Sequence, residues 1–155
     1  MNILLELLSN RILITGICGW LVAQVLKTII YTVVNKSFRL ERMVGDGGMP
    51  SAHSATVTSV AVSIGLFGSF SSPEFAVAAI IAIVVMHDAM GVRLETGKQA
   101  IVINDIIEML NQLGDETIEP DVRLKEFVGH TPMQVAAGFL LGILVAVVSF
   151  YFSGK

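Results

Sequence analysis

Charge is scarce in this sequence. Asp, Glu, Lys and Arg make up 15% of its 155 residues, against roughly 25% in an ordinary soluble domain. A small globule is mostly surface and needs polar cover, so this shortage argues against a water-facing fold and makes the bilayer the natural solvent. Cysteine is nearly absent as well. Cys18 stands alone inside an apolar run, which excludes a disulfide framework. The net charge of −3 offers no basic surface to nucleic acid. A cleavable signal peptide is not expected either. The first apolar stretch is too long for one and only Arg11 precedes it as a basic flank, so it is expected to stay as an anchor. No internal repeat or low-complexity segment is evident.

What fills the chain is apolar: 54% of residues are hydrophobic and the mean hydropathy is +0.75. Apolar runs cover residues 12–34, 52–70, 75–90 and 132–152. A membrane helix needs roughly 20 apolar residues. The first and fourth runs meet this, the second nearly does, and the third is short enough to be expected tilted, partly re-entrant or shielded by the others. "SFSSPE" reads as a tight turn with Pro73 at a first helical position. In "QAIVINDIIEMLNQL", Ile101, Ile103, Ile106, Ile107 and Leu110 form a stripe with Asp105 and Glu108 away from it. This predicts a helix at the membrane surface or over the bundle, and "GDETIEPDVR" after it reads as a loop. The expectation is an all-α integral membrane bundle, one domain over residues 1–155, with about four transmembrane helices and an amphipathic interfacial helix.

Four crossings put both polar stretches on one side and both termini on the other. Lys36, Arg39, Arg42, Arg93, Lys98, Arg123 and Lys125 lie on the loop side, against Arg11 and Lys155 on the other. Basic residues concentrate in cytoplasmic loops, so a multi-pass cell-membrane protein with its loops and site facing the cytoplasm is predicted.

The loop side also holds the chemistry. In "GGMPSAHSA", Gly47 and Gly48 let backbone approach a ligand, and Ser51 or Ser54 can cap a helix that follows Pro50. His53 then sits in the first turn, beside backbone N–H groups that attract an anion. "GHTPMQV" has the same grammar, with His130 just before a Thr131 cap and Pro132 at the first helical position. By parity both helix mouths open on one face. "MHDAMGVR" closes the third run. Asp88 is costly there unless paired: it can neutralise Arg93 or hold a catalytic histidine by its ring N–H, and Gly91 can end the helix and turn Arg93 back toward the pocket. His87 reads as structural. In the first run Trp20, Gln24, Lys27, Tyr31 and Asn35 fall at helical spacing as a polar stripe facing the bundle, and an intramembrane lysine is a functional candidate by default.

Two histidines, a carboxylate, helix N-termini and cations suit phosphoryl transfer. One imidazole attacks phosphorus, the other protonates the leaving oxygen, and the cations and amides hold the phosphate oxygens. No metal or cofactor is required, and no histidine pair shows helical ligand spacing.

These motifs carry a resemblance. "MPSAHS" resembles the PSGH signature of the type 2 phosphatidic acid phosphatase and vanadium haloperoxidase superfamily. Together with "HDAMGVRLETGKQA" and "GHTPMQVAAG" it is similar to that superfamily's divergent branch. The resemblance implies an all-helical membrane phosphatase acting on lipid phosphates without metal. It implies His53 as general acid, His130 as nucleophile, and Ser51 with the Ala52 amide as phosphate contacts. Lys27 is the candidate for the first motif's lysine, since the chain lacks that motif's Arg-Pro. The last motif's aspartate falls on Gln134 and its upstream arginine on Leu124, so Asp88 and Arg93 are the candidates to supply those functions.

The reading is therefore a lipid phosphatase working through a phosphohistidine. The alternative is a non-catalytic module that binds or transports an anion or lipid headgroup. Lipid phosphate and membrane lipids are the expected partners. Gly138 and Gly142 form a small-xxx-small pattern that can pack the fourth run against a neighbour, including a second copy in a homo-oligomer.

Overall fold

The computed structural model describes residues 2–37, 47–112, 123–126 and 128–153. Its helices are α1 (Ile3–Ser9), α2 (Arg11–Asn35), α3 (Ala52–Phe67), α4 (Pro73–Met90), α5 (Val92–Gln112) and α6 (Pro132–Phe152), and no strand occurs among the described residues. Side chains cap the helix starts where the sequence has short polar residues. Asn10 accepts from the Leu13 amide, Ser51 from Ser54, Ser72 from Phe75 and Thr131 from Gln134. Prolines take the following position in α4 and α6. Three stretches are long and apolar enough to cross a membrane: α2, α4 with its continuation α5, and α6. The apolar α3 is shorter at 16 residues. The chain is an all-helical membrane bundle.

Helix α3 lies at its centre, packed on α2, α4 and α6. Helix α6 also touches α2 and α4, whereas α2 and α4 do not touch each other among the described residues. The reason α3 can be central is its size at every buried position: Ala52, Ser54, Ala55, Thr58, Ser59, Ala61, Ser63 and Gly65. Its partners answer with glycine. A Cβ on Gly142 would stand 2.6 Å from the Ala55 carbonyl oxygen, and one on Gly138 would collide with that of Ser51. Small residues let two backbones approach closely where lipid offers no hydrophobic drive between helices. Serine hydroxyls in this seam donate back to their own helix, as Ser59 to the Thr56 carbonyl at 2.9 Å. At the other end Thr15 and Ser149 share a hydrogen bond of 2.7 Å, so α2 and α6 run antiparallel.

Several expectations need correcting. The third run is not shielded: α4 buries only Ala82 and Ala89, and the short shielded helix is α3. Hydropathy cannot separate the two, because burial inside this bundle follows side-chain size. The polar stripe of α2 is only half inward. Gln24 and Lys27 are buried, whereas Trp20 and Asn35 are exposed. The inward face is completed by Thr15, Gly16, Gly19 and Ala23. The isoleucine stripe of α5 does not meet the bundle either. The covered residues are Gly97, Ala100 and Asn104, and Leu124, Glu126 and Val128 return against Gly97 and Asn104. The Gly138–Gly142 pattern is used within the chain, against α3. The loop expected at residues 114–123 lies outside the described residues apart from Arg123. Arg39, Arg42 and Lys155 of the charge count also lie outside them.

Candidate functional site

The starts of α3 and α6 sit side by side. The Ser51 amide donates to the Gln134 carbonyl oxygen at 3.0 Å, which joins the two helices backbone to backbone at their mouths. His53 lies in the first turn of α3 and His130 just before the cap of α6. Their ring centroids are 6.0 Å apart at an interplanar angle of 60°. The histidines that the sequence separates by most of the chain therefore share one corner of the bundle.

His130 is buried, at 3% exposure, and held from two directions. Its backbone amide donates to the Ala89 carbonyl oxygen at the end of α4, at 2.9 Å. Its Nδ1 lies 3.2 Å from Gln134 Oε1. The same Oε1 accepts from the Thr131 amide at 3.1 Å, closing a capping box with the Thr131 hydroxyl. A backbone N–H can only donate, so the atom facing it is the amide oxygen. The ring nitrogen facing that oxygen must then donate too. This puts the proton on Nδ1 and the lone pair of the neutral ring on Nε2. Gln134, which the sequence reading treats only as a lost carboxylate, is thus the residue that orients His130. The signal for it was the T-x-x-Q spacing of a capping box.

Gly129 makes this approach possible. It adopts φ +86°, and a Cβ there would overlap the backbone of Leu94. Just beyond, Asp88 and Arg93 pair across the break at Gly91, with Nε donating to Oδ2 at 2.8 Å. Both side chains are almost half exposed. They line a cavity of about 200 Å³ together with His53, Val84, Val85 and Ala89. One of the five guanidinium N–H donors meets Asp88.

Ser51 and Ala52 are buried at the same mouth. The Ser51 hydroxyl accepts from the Ser54 amide (3.3 Å) and hydroxyl (3.0 Å), so in this arrangement it is a helix cap. Amides of the first helical positions have no intrahelical acceptor, which leaves the start of α3 electropositive. Lys27 is also buried but lines a different cavity, of about 180 Å³, with Tyr31, Gly47 and Gly48. Its aliphatic stem runs along Gly48, whose φ of +87° and missing Cβ make room for it. The structure thus gathers His53, His130, Asp88, Arg93 and Ser51–Ala52, while Lys27 lies against Gly48, three residues before Ser51. Among the described residues no group of three or more His, Cys, Asp or Glu side chains is placed to hold a metal ion.

The family model described as "Divergent PAP2 family" matches residues 8–145. An uncharacterized membrane protein of Bacillus subtilis (strain 168), YuiD, is 38% identical over 156 residues, covering 96% of this chain and 99% of its own. No solved structure matches the chain.

Proposed function

The chain belongs to the divergent PAP2 family, and from that premise we propose that it is a membrane lipid phosphatase that hydrolyses a phosphomonoester or diphosphate lipid. The observation that carries this reading is the pair of imidazoles 6.0 Å apart, one of them with its tautomer set by Gln134. In the first step the His130 Nε2 lone pair attacks phosphorus. The bond from phosphorus to the leaving oxygen breaks as His53, protonated, gives that oxygen its proton. In the second step water attacks the phosphohistidine, His53 takes the water's proton, the P–N bond breaks and inorganic phosphate leaves. Arg93 and the amides at the start of α3 stabilise the charge on the non-bridging oxygens. Asp88 holds Arg93 in place for that task, and Lys27, beside Gly48 near the start of α3, adds positive charge for the phosphate.

The site belongs at the cytoplasmic interface, where a substrate keeps its tail in lipid and presents its phosphate to the helix mouths. Cysteines introduced at Ser71 and Lys125, in a Cys18→Ser background, test the orientation. An impermeant thiol reagent added to whole cells is expected to label the first and spare the second.

The activity is tested with protein purified in detergent and a panel of phosphatidic acid, phosphatidylglycerophosphate and prenyl diphosphates. Release of phosphate that vanadate blocks, that chelators spare and that His130→Ala abolishes is the expected result. A second reading draws on Gln134. A neutral amide gives an imidazolium less support than a carboxylate, which favours headgroup binding without turnover. Vanadate or phosphate binding with no release from any panel member would select it.

A further inference from the structure

His53 belongs to a longer feature than the catalytic corner. On α3 it shares one helical face with Thr56, Val60, Ile64 and Phe67, which lie three, seven, eleven and fourteen residues on. This half-buried face lies between α2 and α4, which both pack on α3 without touching each other among the described residues; Gly16 of α2 comes up against Val60, and Phe67 packs on Phe150 of α6. The gap is a groove. One cavity of about 270 Å³ is lined by Gly16, Ile17, Trp20 and Thr56 along with Leu13 and Val60. A second, of about 540 Å³, adjoins it through those same two residues and runs on past Ile64 and Phe67 to Asn10, Ser72 and Glu74. Between Thr56 and Phe67 the lining is apolar. Even the Thr56 hydroxyl is turned to its own helix, donating to the Ala52 carbonyl oxygen at 2.7 Å.

We infer that this groove seats one hydrocarbon chain of the lipid whose phosphate is processed at His53 and His130, an inference that rests on the phosphatase reading. Three observations select that occupant. The two cavities meet end to end at Leu13 and Val60 along α3, so one chain is enough to fill both. It is open sideways to lipid between α2 and α4, so a chain enters without leaving the bilayer. And it begins one helical turn from His53. From His53 to Phe67 the track is roughly 21 Å at 1.5 Å per residue. Half the hydrocarbon core of a bilayer is about 15 Å. A chain lying full length in the groove therefore passes the midplane. Binding along a remote chain is a source of transition-state positioning, so the rate rises with chain length until the groove is filled.

The test uses geranyl, geranylgeranyl and longer polyprenyl monophosphates beside phosphatidic acids of graded acyl length, in mixed micelles with purified protein. The expected result is a rise of about tenfold in kcat/KM along the single-chain series, levelling once the chain reaches the far end. Val60→Trp blocks the floor and Ile17→Trp narrows one wall. Each is expected to stop the rise at a shorter chain. Ile17 is exposed, so its variant keeps the test open if the other fails to fold. In parallel, a lipid phosphate with a photoreactive group along its chain is cross-linked in vesicles, and the adducts are mapped. Adducts on Leu13, Ile17, Val60 and Ile64 support the groove. Adducts confined to the outer faces of α4 and α6, or a rate indifferent to length with phosphate still released, overturn it. Absence of turnover on every lipid overturns the phosphatase reading instead, and the adduct map then decides the groove alone.

Discussion

At the start of α3 a serine caps the helix and a histidine follows two residues later. At the start of α6 a histidine comes first and a threonine caps behind it. The residue types match, yet the surroundings differ. His130 is buried and tied through backbone and ring, to Ala89 and to Gln134. His53 is half-buried and lines the cavity shared with Asp88 and Arg93. The caps differ in the reverse sense: Ser51 is fully buried in the helix seam, and Thr131 is exposed. A nucleophile must be held at one angle to its target, whereas a proton donor has to follow an oxygen as it leaves. Burying one imidazole and setting the other at the cavity wall fits that division of labour.

The comparison breaks most sharply if both histidines are removed one at a time. His130→Ala is expected to abolish turnover and leave no acid-labile phosphoenzyme after rapid quench with labelled substrate. His53→Ala is expected to slow natural substrates by about 10²- to 10⁴-fold while an aryl phosphate, whose leaving group needs no proton, recovers most of the rate. Equal losses on both substrates would erase the distinction. Gln134→Ala comes next. Loss of the tether to His130 lowers kcat by roughly 10²-fold at little change in KM. Gln134→Asp restores an acceptor and a large part of kcat, which a purely structural capping role would not do. The caps themselves give the smallest effects, in unfolding titrations of the micellar protein. Ser51→Ala costs about 2 kcal/mol, because it leaves the buried Ser54 hydroxyl without its acceptor. Thr131→Ala costs about 1 kcal/mol as an exposed cap.

Much of this corner was legible in the sequence for local reasons. Ser51, Ser72 and Thr131 followed by proline or an apolar run mark helix starts by hydrogen-bonding chemistry that acts within four residues. The parity of the apolar runs then brings His53 and His130 to one face, and Gly91 lets Arg93 fold back onto Asp88. What stayed hidden depends on neighbours distant in the chain. The central place of α3 rests on how Ser, Ala and Gly faces nest, and hydropathy ranks such a face below that of α4. The inward turn of Gln24 and the outward turn of Trp20 are fixed by which side of α2 meets α3. The orienting work of Gln134 needs the histidine ring and the threonine amide to converge on one oxygen, and residue identity alone marks it as a missing charge.

The hydrogen bond from Ser51 to Gln134 has a mechanical corollary. It clips two parallel helices together at the end where the imidazoles lie, while the opposite ends of the bundle are joined by other contacts. From that clip the seam continues through Gly138 and Gly142 to the Phe67–Phe150 contact, so any change in the tilt of α6 carries α3, and with it both imidazoles, along as one body.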